Sequence, residues 1–408
     1  MNFEELIGKL YHEENNDIRR YIPDKLAKLG DWRSTEHLGK ILLDETESDA
    51  LRGECAESLG KQGDPRAIPY LINASNTKVD ELRRTIIWSF GQIGEPEVVE
   101  ILLKFKTDPN LMVRRWVAKS LGRVRGYNVH KDLIDYYLQT QTDDLHVRAE
   151  IIRAVIDQFD SCEPDNKRFW GKQAILNLKQ ETQVHIIQSS VIVLELVVEG
   201  IKIDLFEDIK SIYEIKKDNV VVRPYLLKIL GYYNAVDLIM ERQISDEVIY
   251  ALTCAKFYEF HVKVITNPSQ YSDQVVEAAL KTIPINQIQN ANQYLDHKNL
   301  GIRIAALLYN AKSGIGFENL DYELKSSHKL SYGIFEVFPF YPKETIDIII
   351  QGMRSQDKVM RQTAFRTIID PHFQELFGEK VHREIEYMAK HDKIWHIRRD
   401  ARIYLSQL

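Results

Sequence analysis

The sequence predicts an all-α fold in which antiparallel helix pairs stack into a solenoid. Three observations predict it. An apolar residue followed by arginine recurs at nearly constant spacing, glycine and proline are sparse at 19 and 12 of 408 residues, and apolar residues recur on one face of each predicted second helix. Sparse glycine and proline suit a helical chain, and a chain of this length can hold one continuous array of repeats.

The apolar–arginine step marks five units in the first 160 residues. Its arginines are Arg19, Arg52, Arg83, Arg114 and Arg148. Successive arginines are separated by 33, 31, 31 and 34 residues. A period of about thirty residues accommodates two short helices and two turns. Each unit is therefore predicted to be a first helix followed by a second helix that begins near the arginine.

Beyond residue 160 the step becomes irregular. It returns at Arg223, Arg303, Arg361 and Arg398. We expect regular repeats over residues 1–160 and divergent helical repeats over residues 161–408 that continue the same solenoid. The basic helix near residues 390–408 is expected to cap the last repeat, because the end of a repeat array needs a polar cover.

The units also carry helix-boundary signals. Asp64 is expected to cap a first helix, with Pro65 at the first helical position, where its missing N–H costs nothing. An apolar–glycine pair closes four of the units. Its glycines are Gly30, Gly60, Gly91 and Gly122. We expect these glycines to adopt the left-handed conformation that ends a helix.

The stretch from Leu51 to Gly60, followed by Gly63 to Pro69, resembles the HEAT-like repeat first described in phycobilisome lyases (the PBS lyase HEAT-like repeat). That repeat is also widespread in bacterial and archaeal scaffold proteins. The resemblance is strong over residues 17–135 and looser afterwards. It implies a HEAT-like α-solenoid whose second helices line the concave side, and it is specific for fold rather than for function.

Positions relative to the marker arginine separate core from surface. Apolar residues fall one residue before it and three, four and seven residues after it, as at Leu82, Ile86, Ile87 and Phe90. This spacing places them on one buried helical face. The arginine itself is expected to brace the turn between helices through nearby carboxylates, because its fork of donors suits them. These carboxylates are Asp49, Asp80, Asp108, Asp143, Asp218, Asp357 and Asp392.

The positions one, two and five residues after the arginine are expected to face outward. In the third to fifth units they carry two tryptophans among several basic residues. The candidate partner-binding residues are Arg84, Trp88, Arg115, Trp116, Lys119 and Arg153. Tryptophan and arginine together are typical of an interface hot spot. Alternatively, Trp88 and Trp116 lie across neighbouring helices and extend the packing between repeats.

The sequence contains no motif for nucleotide binding, nucleophilic catalysis or metal binding. It contains no phosphate-binding loop, no dinucleotide-binding or nucleophile-elbow motif and no histidine pair with ligand spacing. The three cysteines are widely spaced, at Cys55, Cys162 and Cys254. We therefore expect no catalytic residue, metal or cofactor. The chain starts without a signal peptide, and its most apolar run is too short to span a bilayer, so we expect a cytoplasmic protein away from membranes.

Three functions compete. The first is a non-enzymatic scaffold or adaptor that binds a protein partner on the concave face. The second, implied by the resemblance, is a tetrapyrrole-binding protein or chaperone like the phycobilin lyases, and bilin attachment would be its activity if the chain were an enzyme. The third is nucleic-acid binding. It is disfavoured because the net charge is -6 and because Glu54, Glu57 and Glu150 share the predicted surface.

Overall fold

The computed structural model describes residues 2–140, 144–201, 203–315, 317–318, 320 and 332–406. Every regular element within these ranges is helical, and they contain no strand. The prediction of an all-α fold is therefore confirmed. The chain divides into two compact units: unit 1 comprises Met1–Ile203 and Ala389–Ile403, and unit 2 comprises Asp204–Met388 and Tyr404–Leu408. The expected change of character at residue 160 and the continuity of a single solenoid stay predictions.

The helices of unit 1 up to residue 203 alternate between first and second members of antiparallel pairs. They are α1 (Phe3–His12), α2 (Asn16–Arg20), α3 (Ile22–Leu29), α4 (Ser34–Leu43), α5 (Asp49–Gln62), α6 (Ile68–Ala74), α7 (Asp80–Ile93), α8 (Val99–Lys104), α9 (Leu111–Leu121), α10 (His130–Gln139), α11 (Leu145–Asp157), α12 (Pro164–Gln180) and α13 (Val184–Gly200). The second helices α3, α5, α7, α9, α11 and α13 pack against one another in that order. Each also packs against its own first helix.

The expected core and helix starts are confirmed. Leu82, Ile86, Ile87 and Phe90 are fully or almost fully buried. Asp64 caps a short 3-10 turn, Pro65–Ala67, by accepting a hydrogen bond from the backbone N–H two residues on, and α6 follows it directly. Pro96–Val98 is the equivalent turn before α8.

The marker arginines brace consecutive turns, as predicted. Arg83, at the start of α7, donates through Nε to Asp108 in the next turn at 2.9 Å. It also donates through Nη2 to Asp80 at 2.7 Å and through Nη1 to the carbonyl of Thr77 at 3.0 Å. Both Arg83 and Asp108 are buried. A buried guanidinium with this many partners fixes the spacing between two repeats.

Neighbouring repeats use the same brace. Arg19 donates to Glu47 of the next turn at 2.9 Å. Arg114 donates to Asp144 at 2.9 Å and to the carbonyl of Asp108 at 2.8 Å. Asp143, which the sequence offered as a carboxylate for this turn, lies outside the described residues.

The expectation that a left-handed glycine ends each helix is wrong for three of the four glycines. These are Gly60, Gly91 and Gly122. Gly30 does adopt the left-handed backbone, with φ +74. In the next two repeats the left-handed residues are instead Gly63 and Gly94, three positions later. The earlier glycines serve close packing of consecutive second helices. A Cβ on Gly60 would lie 2.8 Å from the Cα of Ser89.

The facing serines complete this contact. Ser89 donates its hydroxyl to the carbonyl of Ala56 in the preceding second helix at 2.8 Å. Ser120 does the same to the carbonyl of Ile87 at 2.9 Å. Both serines are buried, so the hydrogen bond replaces the water that burial removes. Glycine on one helix and serine on the next therefore bring their two backbones together.

Unit 2 is also built from stacked helices. They are α14 (Phe206–Lys216), α15 (Arg223–Tyr232), α16 (Val236–Met240), α17 (Asp246–Cys254), α18 (Glu259–Thr266), α19 (Asp273–Thr282), α20 (Leu300–Lys312), α21 (Pro342–Met353), α22 (Lys358–Ile368) and most of α23 (Pro371–His391). The last helix of the chain is α24 (Trp395–Ser406). Among these, α15, α17, α19 and α20 pack in succession. None of the described helices is both long and apolar enough to cross a membrane.

A fully buried histidine sits in unit 2. The Nε2 of His261 lies 2.8 Å from the hydroxyl of Thr253, which itself donates to the carbonyl of Ile249 at 2.9 Å. The hydroxyl therefore accepts from a neutral Nε2–H. Burial lowers the pKa of His261 to about 4, because a charged imidazole would lose its hydration.

We predict that replacing Gly91 destabilises unit 1. In Gly91→Ala the new Cβ would meet the Cα of Ser120 at 2.8 Å, and forcing the helices apart should cost about 1–3 kcal/mol of unfolding free energy. Gly53→Ala is the control, because an added Cβ there meets nothing within 4 Å. It should stabilise the helix by about 0.5–1 kcal/mol. Urea unfolding followed by circular dichroism measures both, and equal effects would contradict the packing role.

We predict that unit 2 loses stability as pH falls from about 6.5 towards 4. In this window the unfolded histidine binds a proton and buried His261 does not, so acidification lowers the free energy of the unfolded state relative to the folded state, by on the order of 3 kcal/mol in total. His261→Gln keeps a side-chain donor but cannot titrate, and its stability should fall less over this window. Urea titrations at several pH values test this. Parallel pH profiles for the two proteins would refute it.

Candidate functional site

The six candidate residues lie on neighbouring second helices of unit 1. Arg84 and Trp88 are on α7, Arg115, Trp116 and Lys119 are on α9, and Arg153 is on α11. Each is partly exposed. Because α7, α9 and α11 pack in succession, these residues occupy adjacent positions on one surface. We call these six residues the tryptophan–arginine surface.

The two tryptophans are partly buried. They are therefore neither fully exposed on a binding surface nor fully packed between repeats. The ammonium of Lys119 lies 4.6 Å from the ring centre of Trp116. The guanidinium carbon of Arg123 lies 6.0 Å from the same ring. A cation over an indole face is attracted by the ring quadrupole. Trp116 therefore has cations beside it and retains some exposed area.

A buried carboxylate organises the basic residues of this surface. Glu150 accepts from Arg115 at 3.0 Å and from Arg153 at 3.1 Å. The sequence placed Ala149 and Glu150 at outward-facing positions, and that was wrong, because both are buried. The two arginines supply the hydrogen bonds that a buried carboxylate requires. Arg84 is paired as well, with Glu81 at 2.7 Å.

The charge on the second helices changes sign along the array. In the second repeat, Glu54 and Glu57 occupy the positions that carry Thr85 and Trp88 in the third. Burial raises the pKa of Glu54, and the neighbouring charge of Glu57 raises it further. Lys61 pairs with Glu57 at 2.7 Å and with Asp24 at 3.0 Å. An acidic section therefore precedes the tryptophan–arginine surface.

Two of the three cysteines are buried, and the described part of the chain contains no cluster of metal-binding side chains. Cys55 and Cys162 are buried. Burial raises the pKa of Cys162 to about 11 and moves the pKa of Cys55 well above its usual range. Neither thiol forms the reactive thiolate near neutral pH. Within the described residues, histidine, cysteine and carboxylate side chains nowhere gather in threes as a metal site requires.

The sequence analysis missed a groove of about 600 Å³ in the first two repeats. Its walls include Trp32, which is 62% exposed, and Tyr70. Arg66 stacks over Trp32 at 4.5 Å, and Arg33 stacks over Phe3 at 4.1 Å. These residues lie on first helices and turns, away from the positions counted from the marker arginines. The available signal was the Trp32-Arg33 pair, which begins two residues after the helix-ending Gly30.

The C-terminal segment Ala389–Ile403 belongs to unit 1. Arg398 donates to the carbonyl of Ala27 at 2.8 Å, and Arg402 donates to the carbonyl of Gln62 at 2.5 Å. Arg399 donates to the side chain of Gln92 at 3.2 Å. Two of these acceptors are backbone carbonyls near the C-terminal ends of α3 and α5, and the third is a side-chain oxygen near the end of α7. The helix dipole is negative at each of these ends.

This position differs from the sequence-based expectation for the helix near residues 390–408. That helix was expected to cap the last repeat. The structure places residues 395–403 across the ends of the first three repeats. The negative ends of three successive helix dipoles provide the physical reason, since an oxygen near each end accepts from one arginine.

The helix pairs follow one another in tandem, their second helices pack in succession, and a recurring arginine braces the turns. These features define an α-solenoid of helical repeats. The family model of HEAT repeats matches residues 3–86 and 79–156. Residues 3–86 and 79–156 therefore carry HEAT repeats, as the resemblance in the sequence implied.

Solved structures show weaker likenesses. The complex of CpcE and CpcF of phycocyanin lyase from Nostoc sp. PCC7120 aligns at 17% identity, over 62% of this chain and 93% of that chain, with a TM-score of 0.36. An engineered protein aligns at 14% identity over 98% of both chains, with a TM-score of 0.41.

Importin beta aligns at 12% identity over 96% of this chain and 54% of that chain, with a TM-score of 0.39. TM-scores of this size carry no argument about function. No curated protein matches the sequence.

We predict that removing the charge of Glu150 destabilises unit 1. In Glu150→Gln the two arginines lose their shared carboxylate at a buried position, which should cost about 1–3 kcal/mol of unfolding free energy. Glu57→Gln is the matched control, because Glu57 is more exposed and pairs with Lys61 near the surface. It should cost under about 1 kcal/mol. Urea unfolding compares them, and similar losses would rule out the organising role.

Proposed function

We propose that this chain is a non-enzymatic scaffold that binds a protein partner through the tryptophan–arginine surface. The observation that carries the proposal is the row of partly exposed Trp88 and Trp116 beside Arg84, Arg115 and Lys119 on consecutive helices. Large indole surface next to basic groups is the usual composition of an interface hot spot. A repeat array can present such residues on a rigid support.

The charges on this surface favour a protein over a nucleic acid. Glu150 neutralises much of the basic charge of Arg115 and Arg153, and Glu81 pairs with Arg84. Nucleic-acid binding depends on basic groups that are available to successive phosphates. The surface instead suits a partner that inserts an apolar side chain beside the indoles and directs a carboxylate towards Lys119.

The acidic section adds directionality to this proposal. Glu54 and Glu57 lie one repeat before Arg84 and Trp88. A partner that spans both sections would need acidic groups at one end and basic groups at the other. Such opposite ends fix the orientation of the bound segment, because the reversed orientation would set like charges against each other.

We predict that Trp88→Ala combined with Trp116→Ala abolishes partner binding while the repeats remain folded. Losing two hot-spot side chains should weaken binding at least about 100-fold. The matched control is Trp32→Ala, which removes a more exposed tryptophan from the separate groove. A partner identified by affinity capture with the wild-type chain would be titrated against all three proteins by calorimetry.

The fold of each variant is checked separately. Circular dichroism and thermal melting should show the same helicity in the double variant as in the wild type. A second double variant, Trp88→Phe with Trp116→Phe, retains apolar packing and should retain most of the binding. Undiminished binding by the alanine variant would refute the proposed surface, and unfolding of both double variants would assign the tryptophans to packing.

A further inference from the structure

The groove beside Trp32 has the size and the lining of a binding site. Its volume is about 600 Å³, and its walls come from α1, α4, α6 and the turns before α4 and α6. Trp32 keeps 62% of its surface exposed, whereas folding normally covers so large an apolar ring. None of the groove residues belongs to the tryptophan–arginine surface, so the proposed scaffold function leaves the groove without a role.

Contacts within the fold hold the aromatic rings of the groove in place. The guanidinium of Arg66 stacks over the indole of Trp32 at 4.5 Å, and its Nε and Nη2 both donate to buried Asp64. The ring of Tyr70 lies directly on the backbone of α4, because a Cβ on Gly39 would overlap it. The groove is therefore preformed, which lowers the free energy that a ligand must supply to order it.

The charged groups of the groove pair with one another or with the adjoining fold. Arg33 and Arg66 each pair with the aspartate two residues earlier in the chain, at 2.7 Å in both cases. Glu36 pairs with Lys40 of the same helix at 2.7 Å. A strongly charged ligand would have to compete with these ion pairs for a small net gain. The groove therefore favours a ligand without formal charge.

Three hydrogen-bond donors of the groove remain available to such a ligand. They are the indole N–H of Trp32, the hydroxyl of Tyr70 and Nη1 of Arg66, and all three residues border the groove. Within the described part of the chain, none of these donors makes a hydrogen bond. A neutral ligand with several carbonyl acceptors beside apolar rings would satisfy them and cover the indole.

We propose that the groove binds a proline-rich segment of a partner protein in the polyproline II conformation. Such a segment makes no hydrogen bonds within itself, so its carbonyls are free to accept from Trp32, Tyr70 and Arg66. Its pyrrolidine rings can pack on the aromatic lining, as in other aromatic grooves that recognise this conformation. The site goes beyond the proposed scaffold function, and it can be tested without the partner of the tryptophan–arginine surface.

Fluorescence anisotropy of a labelled peptide of ten prolines, titrated with the full chain, tests the proposal. A glycine-serine peptide and a polyglutamate peptide of the same length are measured beside it. Decaproline should bind at least about tenfold more tightly than either peptide. The flexible glycine-serine chain lacks rings and loses more conformational entropy on binding, and polyglutamate gains little from arginines that are already paired.

Variants of the groove identify where decaproline binds. Trp32→Ala should weaken its binding at least about tenfold. Trp32→Phe and Tyr70→Phe each keep a ring and lose one donor, so each should weaken binding about 2–10-fold. The matched control is Trp88→Phe with Trp116→Phe, which removes two indoles from the other surface and should bind decaproline as the wild type does.

The fold of each variant is checked by circular dichroism. Tyr70→Phe keeps the ring that packs against Gly39, so it tests the groove even if Trp32→Ala unfolds. The proposal is overturned if decaproline binds no more tightly than the glycine-serine peptide or less tightly than polyglutamate. It is also overturned if a folded Trp32→Ala variant binds decaproline fully, or if Tyr70→Phe and Trp32→Phe both leave the affinity unchanged.

Discussion

The close approach of consecutive second helices is the constraint on which the rest of unit 1 depends. Gly60 and Gly91 supply the space, and Ser89 and Ser120 fill it with a hydroxyl that bonds the neighbouring backbone. At this separation a side chain on one helix lies within reach of the next. Packing of this kind resists small changes in volume, since core atoms have nowhere to relax.

The bracing arginines and the candidate surface both follow from that spacing. Arg83 can reach Asp108 in the next turn because the helices that carry the two turns are held together. On the other side of the same helices, Arg115 reaches Glu150 across one repeat. The same regularity aligns successive helix ends, so Arg398 and Arg402 of one helix can each find a carbonyl of a different repeat.

Local periodicity determined how far the sequence could predict this structure. The buried face of Leu82, Ile86 and Phe90 follows from helical spacing, and the brace at Arg83 follows from a recurring arginine near recurring carboxylates. The glycines were recognised, but their role was misassigned. Sequence spacing alone does not distinguish a helix-ending glycine from one that admits a neighbouring backbone, and here both kinds occur three residues apart.

Long-range contacts were beyond such reasoning. Arg398 and Ala27 are separated by 371 residues, and no local pattern relates them. Glu150 was predicted to face outward because its position in the repeat does so in the earlier units. It is buried instead, and its two arginine partners lie on different helices. The groove at Trp32 was not predicted from the sequence. Its residues lie on first helices and turns, which the positions counted from the marker arginines do not include.

The arginines of unit 1 consequently fall into two groups with different physical roles. Arg83 and Arg114 have their donors occupied by carboxylates and carbonyls of the fold, so a ligand would have to displace bonds that hold the repeats together. Arg123 makes no such bond through Nη1, and its guanidinium carbon lies 6.0 Å from the ring centre of Trp116. Structural arginines are recognised by regular recurrence and saturated donors. The basic residues of the proposed partner surface depart from this recurrence: Arg84, Arg115 and Arg153 pair with carboxylates as well, but they keep exposed area.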